Sequence, residues 1–473
     1  MPHGLAPRRF LLAFALILAG SSARAQEPLA AQLGAYNADV RQSSISGISS
    51  GAFMAVQFAV AWSSVIRGVG AIAGGPYDCA HGTGLDVATG ASMVAALTVC
   101  TKASPSAPDA DGAVARADAF ARDGEIDDLA NVAGQKVYLF NGYNDTVVDR
   151  QVTDTLETFY RHYLGPAHAG NLFYQNALGA GHAQITAAYG GACQATVPDY
   201  INQCGYDQAG IILRHIYGAL HAPSETLGGR MVAFSQREFT YPFPPASFSM
   251  AEVGYAYVPA PCQAGAACRV HIALHGCKQN AAMIGTEFIL HAGYNEWADA
   301  NNIIVLYPQT VPSSFDFTLP FNPDGCWDWW GYTNASYTRK AGRQIGALKA
   351  MLDRLAGGTA SAASATTVSA PALRDVSQID ASDTAVDLAW SPVAGATAYV
   401  VSRASDQGQS LRQIGIATGA SFGDAGLSPD HTYHYQITAV VDGGPGPRSP
   451  LIAASTKAAP PRCASPGACA MAR

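Results

Sequence analysis

The stretch "SISGISSGAF", residues 44–53, sets Ser49 between Gly47 and Gly51 in the pattern G-x-S-x-G. That pattern marks a nucleophile elbow, a sharp strand-to-helix turn that holds a serine hydroxyl above the end of a sheet. Alone it is weak, because a chain with 48 glycines supplies Gly/Ser turns by chance. The flanking residues add to it. "SGAFMAVQFAVAWSSVI", 50–66, is an apolar run of helical length directly after the turn, and "GVGAIAGGP", 68–76, reads as a short buried strand ending in glycines.

Working outward, residues 80–130 are Ala-rich and more polar, the composition of a helical insertion. "QKVYLFNG" (135–142) and "NLFYQNAL" (171–178) read as buried strands with a helix near 150–163 between them. Strands alternating with helices predict a mostly parallel sheet in an α/β domain, and chemistry in such sheets gathers at the carboxyl ends of the strands. Ser49, Asp145 in "YNDTVV" and His182 in "GAGHAQ" each fall just past an expected strand end. A serine hydroxyl is a weak nucleophile until a base takes its proton, and the base needs a carboxylate to hold its tautomer. The chain order Ser, Asp, His is that of α/β-hydrolases. Asp149 competes with Asp145 for the acid, and His168, His271, His275 and His291 compete with His182 for the base.

One element is displaced. The loop that supplies oxyanion donors normally follows an early strand and precedes the nucleophile, yet the matching strand and loop, "RVHIALHGC" (269–277), come after the histidine. Cutting an α/β-hydrolase ahead of its elbow and joining the old ends would give this order, and would set the helix expected at 339–355 before the elbow in space. The expected oxyanion donors are the backbone N–H groups of Ser50 and Cys277. No metal or organic cofactor is required by this chemistry, and no C-x-x-C pair with a partner pair suggests zinc.

With 49% hydrophobic and 13% charged residues, the 473-residue chain has the composition of a folded protein, long enough for a large domain and a smaller one. Residues 1–25 combine Arg8 and Arg9, the apolar run "FLLAFALILAG" and a final "ARA", the pattern of a secretory signal cleaved after Ala25. Its removal takes away Arg8, Arg9 and Arg24 and no acid, moving the formal net charge from −7 to −10. An acidic exported chain is a poor ligand for nucleic acid, and no later apolar run is long enough to span a bilayer. The ten cysteines suit an oxidising compartment. Spacing leaves their connectivity open, and pairing between chain-order neighbours (79 with 100, 193 with 204, 262 with 268, 277 with 326, 463 with 469) is the expectation. Residues 356–370 have small-residue linker composition, 371–457 alternate in period two between Gly/Pro/Asp turns like a small β-sandwich, and 458–473 form a tail.

"GISSGAFMAVQFA", "GGPYDCA", "GHAQ", "CGYDQAG", "LHGCKQN" and "NPDGCWDWWGY" together resemble the catalytic domain of extracellular poly(3-hydroxybutyrate) depolymerases, the type with the lipase box at the amino end. The resemblance covers roughly residues 30–355. It implies a circularly permuted α/β-hydrolase catalytic domain over 26–355, Ser49 as nucleophile, Asp145 and His182 as its partners, and Ser50 with Cys277 at the oxyanion hole. The implied substrate is a polyester of short-chain 3-hydroxyacids or its oligomers, acted on by a secreted monomer. Residues 371–457 are similar to a fibronectin type III domain, with Trp390 in its core and Tyr433 as its tyrosine corner. Family members carry a polymer-binding domain after such a linker domain; none is evident here, which sets crystalline against amorphous polymer as an open question. A neutral polyester calls for an apolar cleft, and "FDFTLPFNPDGCWDWWGY" (315–332) gathers seven aromatics, of which Trp327, next to Cys326, is the expected subsite wall. The alternative enzyme is a feruloyl or acetyl-xylan carboxylesterase; a binding protein with an inactive hydrolase domain is the reading from another class.

Overall fold

The computed structural model describes residues 32–81, 91–313, 320–357, 376–394, 396–404, 412–417, 419–441 and 444–458. The expected signal segment, most of the expected linker, Phe315, Phe317, and the expected Cys463–Cys469 pair lie outside the described residues.

The first unit is built on one eight-stranded sheet. Its strands are β1 (Ser43–Ile48), β2 (Ile66–Ile72), β3 (Lys136–Phe140), β4 (Leu172–Gln175), β8 (Arg230–Ser235), β9 (Val253–Val258), β10 (Arg269–Leu274) and β11 (Ile303–Tyr307). The short strands β5 (Gln184–Thr186), β6 (Gly191–Ala192) and β7 (Ile201–Gln203) form a small parallel side sheet. Across the large sheet the order is β4-β3-β2-β1-β10-β11-β9-β8, parallel except at β9, which runs antiparallel to both neighbours. Counted from β8 as the first strand and round through β4 as the last, this order reads 1-2-4-3-5-6-7-8. The "LHGC" loop then follows the third strand and Ser49 the fifth, the α/β-hydrolase arrangement with its chain ends moved. The old junction is visible. Leu355, the last residue of helix Arg343–Leu355, accepts hydrogen bonds at its carbonyl from the N–H groups of Tyr36 (2.9 Å) and Ala38 (3.3 Å), just ahead of β1.

Helix α1 (Ser50–Ala61) is buried at all twelve positions, which matches its nearly uniform apolar sequence. It shares one core with helices Ala110–Arg122, Arg150–Leu164 and Arg343–Leu355, while helices Gln208–Tyr217 and Asn295–Ala300 close the other face. The expected insertion at 80–130 includes the helices Ala91–Leu97 and Ala110–Arg122. Among the described residues four disulfides join Cys79–Cys100, Cys193–Cys204, Cys262–Cys268 and Cys277–Cys326, all chain-order neighbours.

The second unit is a β-sandwich. One sheet runs β12-β13-β16 (Ser377–Ala381, Ala385–Ala389, Ser421–Ala425); the other runs β15-β14-β17-β18 (Arg412–Ala417, Ala396–Ala404, Thr432–Val441, Gly444–Arg448), with β19 (Ile452–Ser455) also on β17. Trp390, Tyr399 and Ile437 pack between the sheets, and Ser428 N–H donates to the Tyr433 hydroxyl at 2.9 Å, the tyrosine corner of a type III sandwich.

The centre of the large sheet is polar. His271 on β10 is fully buried, with Nδ1 2.7 Å from Ser44 Oγ and Nε2 2.8 Å from Ser46 Oγ, both on β1. Tyr217 donates its proton to the Gln42 carbonyl (2.9 Å), so it accepts from Ser44 (2.7 Å), and Ser44 in turn accepts from His271 Nδ1–H. Nε2 is therefore the acceptor for Ser46, whose oxygen accepts from Tyr294 at 2.6 Å. Burial pushes the His271 pKa down to about 3 and that of His275 to about 4. Both rings stay neutral when folded but take a proton near pH 6.5 when unfolded. Their contribution to stability is thus complete above pH 6.5 and is lost as pH falls toward 3 to 4, by about 1.4 kcal/mol per pH unit for each ring. We expect urea unfolding at pH 7, 5.5 and 4.5 to show the stability gap between wild type and His271→Gln shrinking by about that amount per unit; a gap constant with pH would contradict the assignment.

Candidate active site

Ser49 sits at φ 56°, ψ −124°, a left-handed conformation that a serine holds only when its surroundings fix it. The two glycines explain how. A Cβ at Gly47 would lie 2.3 Å from the Gly51 carbonyl oxygen, and one at Gly51 would lie 2.4 Å from that of His275. Strand β1, helix α1 and the end of β10 therefore touch backbone to backbone, and only glycine fits at either place. The chain must turn between them, and Ser49 is the residue at the turn.

Asp145 lies in the loop after β3. Its Oδ1 accepts from Val147 N (2.8 Å) and Val148 N (3.0 Å), and its Oδ2 lies 2.8 Å from His182 Nδ1. The two side chains are buried, at 1% and 8% exposure. Because a carboxylate only accepts, the ring proton is on Nδ1 and Nε2 is left as an acceptor. His182 sits in the loop after β4; its own N–H donates to Thr196 Oγ1 at 2.9 Å, and Gly181 N–H donates to the Cys193 carbonyl beside the Cys193–Cys204 bridge. Asp149 stands apart, as the N-cap residue of helix Arg150–Leu164 and half-exposed, 4.0 Å from Lys102 Nζ. The rival histidines also stand apart. His168 is exposed, His271 and His275 are buried in the sheet and at its end, and His291 stacks on Tyr189.

Ser49, His182 and Cys277 line one cavity of about 430 Å3. Ser50 opens helix α1, where backbone N–H groups and the helix dipole favour negative charge. The Gly276–Cys277 turn packs against the elbow: a Cβ on Gly276 would be 3.4 Å from Ser49 Cβ. Three bonds hold that turn. Gly276 N–H donates to Gln279 Oε1 (2.8 Å), Lys278 N–H donates to the Asp324 carbonyl (2.7 Å), and Cys277 is bonded to Cys326. Among the described residues no group of three or more His, Cys, Asp or Glu is placed to hold a metal ion, and no helix is long and apolar enough to cross a membrane.

Trp327 does not take the expected place. It is fully buried, 5.4 Å from the His275 ring, with its backbone N–H donating to Ser50 Oγ at 3.2 Å, and it belongs to the core. Trp329 and Trp330 form the wall instead. The reason lies in the buried Asp328 carboxylate, which accepts from Gly331 N (2.7 Å), Tyr332 N (3.0 Å) and Thr333 N (3.0 Å) and winds the segment into a tight turn. Trp329 is set on Phe53 of α1 with ring centroids 4.3 Å apart. Met93, Leu97 and Val147 line the same cavity, and none of the three was marked as a site residue by its sequence.

No family model matches the chain. It is 39% identical over 415 residues to a poly(3-hydroxybutyrate) depolymerase of Delftia acidovorans, covering 87% of this chain and 78% of that one. It is 34% identical over 348 residues to a polyhydroxybutyrate depolymerase of Talaromyces funiculosus, covering 71% and 95%. Among solved structures, the PHB depolymerase of Penicillium funiculosum superposes with a TM-score of 0.61 at 33% identity, covering 69% of this chain and 98% of that one. A serine-to-alanine variant of a PHB depolymerase in complex with an R3HB trimer gives a TM-score of 0.61 at 32% identity with the same coverage. Identity of this extent, over more than three quarters of the Delftia enzyme, goes beyond a shared fold: the chain belongs to the poly(3-hydroxybutyrate) depolymerase family.

Proposed function

We propose that this protein is an exported, monomeric serine hydrolase that cleaves the ester bonds of poly(3-hydroxybutyrate) and its oligomers. The observation that carries the reading is the meeting of an elbow serine with an Asp-backed histidine in one mostly apolar cavity. Ser49 Oγ attacks the ester carbonyl carbon while His182 Nε2 takes its proton, and Asp145 holds the ring and steadies the imidazolium. Ser50 and Cys277 N–H groups receive the oxyanion. Collapse expels the alcohol, which takes the proton from Nε2; water, activated by the same nitrogen, then attacks the acyl-serine and restores Ser49. The four disulfides fit an oxidising compartment, in keeping with export behind residues 1–25. A polyester without charge suits walls of tryptophan, leucine and methionine.

Purified residues 26–473 should clear an amorphous poly(3-hydroxybutyrate) suspension, measured as loss of turbidity. Ser49→Ala should not, and Asp145→Asn should lose on the order of 10³–10⁴ in kcat by leaving the histidine in the wrong tautomer. Clearing by Ser49→Ala would sink the mechanism, while release of ferulate or acetate without clearing would move the chain to the carboxylesterases. The two aromatic neighbours should separate. Trp330→Ala should raise KM for soluble oligomers several-fold with the smaller loss of stability of a half-buried ring, whereas Trp327→Ala should cost about 3–5 kcal/mol of stability by opening a core cavity. Equal melting temperatures for the two variants would refute the placement.

A further inference from the structure

The cavity wall carries one contradiction of its apolar character. Among the described residues that line it, Lys278 is the one lysine or arginine and Asp324 the one aspartate or glutamate. Lys278 follows the proposed oxyanion residue directly and holds φ 62°, a left-handed conformation unfavourable for a lysine. The hydrogen bond from its N–H to the Asp324 carbonyl (2.7 Å) and the neighbouring Cys277–Cys326 bridge fix it there. The base of the side chain is therefore held rigidly in the wall of the cavity that Ser49 also lines. The amine is free to respond. Its Nζ lies 3.5 Å from Asp324 Oδ2, outside good hydrogen-bonding range, and both side chains are about half exposed (47% and 48%).

The interior of a hydroxyacid polyester has no charge for an amine to meet. Each chain has one acid end, and every scission makes another: the acyl fragment leaves Ser49 as a carboxylate, and the alcohol fragment keeps the original one. Resting on the reading above, we propose that Lys278 is a specificity residue that binds the terminal carboxylate of oligomers, in competition with the Asp324 carboxylate, so that short acid-ended chains are cut in preference to the same chains capped as esters.

The test uses the 3-hydroxybutyrate trimer as free acid and as methyl ester, with scission between units followed by chromatography and kcat/KM taken for each. For a half-exposed pair the acid should be favoured by about three- to five-fold at low salt, and 0.5 M NaCl should reduce the preference by screening. Lys278→Gln should bring the acid-to-ester ratio to about one. Asp324→Asn should shift it the other way, above wild type, because it removes the competing carboxylate. A wild-type ratio near one, or a ratio unmoved by Lys278→Gln, overturns the proposal; so does a loss on acid and ester in equal measure, which would make Lys278 a general electrostatic support. If neither trimer is cut in a Ser49-dependent way, the failure is that of the hydrolase reading itself.

Discussion

The elbow depends on three backbones meeting with no side chain between them. Gly47 on the central strand, Gly51 in the first turn of α1 and the carbonyl of His275 at the end of β10 approach so closely that a single methyl group would lie about 2.3–2.4 Å from an oxygen. That contact draws the helix onto the strand end and forces Ser49 to φ 56°. It also sets the "LHGC" turn beside the serine, since the carbonyl touching Gly51 belongs to the residue just before Gly276. Ser49 and one proposed oxyanion donor are thus placed by the same steric fact. The strain at Ser49 is sustained because α1 is buried along its whole length and cannot retreat.

Much of this was legible in the sequence because it depends on local pattern. The elbow, the strands ending at residues 140 and 175, and the helix after residue 150 each carry their own periodicity and turn residues. The displaced "RVHIALHGC" strand could be read because motif order survives permutation. Elements whose form is set by distant contacts were harder. Residues 281–300, long enough for one helix, form three short pieces, Ala281–Ile284, Glu287–His291 and Asn295–Ala300, with Gly285 (φ 65°) and Gly293 (φ 88°) at the breaks. Strand β8, "RMVAFS", lacks clean alternation because it is an edge strand, mostly half-buried.

The site divides along the same line. Asp145 and Asp149 are equal in composition, and only the fold shows that one reaches His182 while the other stands at a helix start. Trp327 was singled out by its neighbour Cys326, but the turn around Asp328 sends that ring inward and leaves the wall to Trp329 and Trp330. Adjacent aromatics in one segment can face opposite ways, and the choice is made by a carboxylate that sequence does not mark as special. Met93 and Leu97 come from a helix within the Cys79–Cys100 loop, outside every motif quoted above.

The position of the old junction has a further meaning. Helix Arg343–Leu355 ends against Tyr36 and Ala38, at the amino ends of the strands, whereas Ser49 and the cavity lie at their carboxyl ends. A permuted hydrolase thus hands its chain onward from the face remote from its chemistry. The chain leaves the helix at the end of the sheet opposite the cavity, so the attachment point itself imposes no shape on the mouth of the cleft.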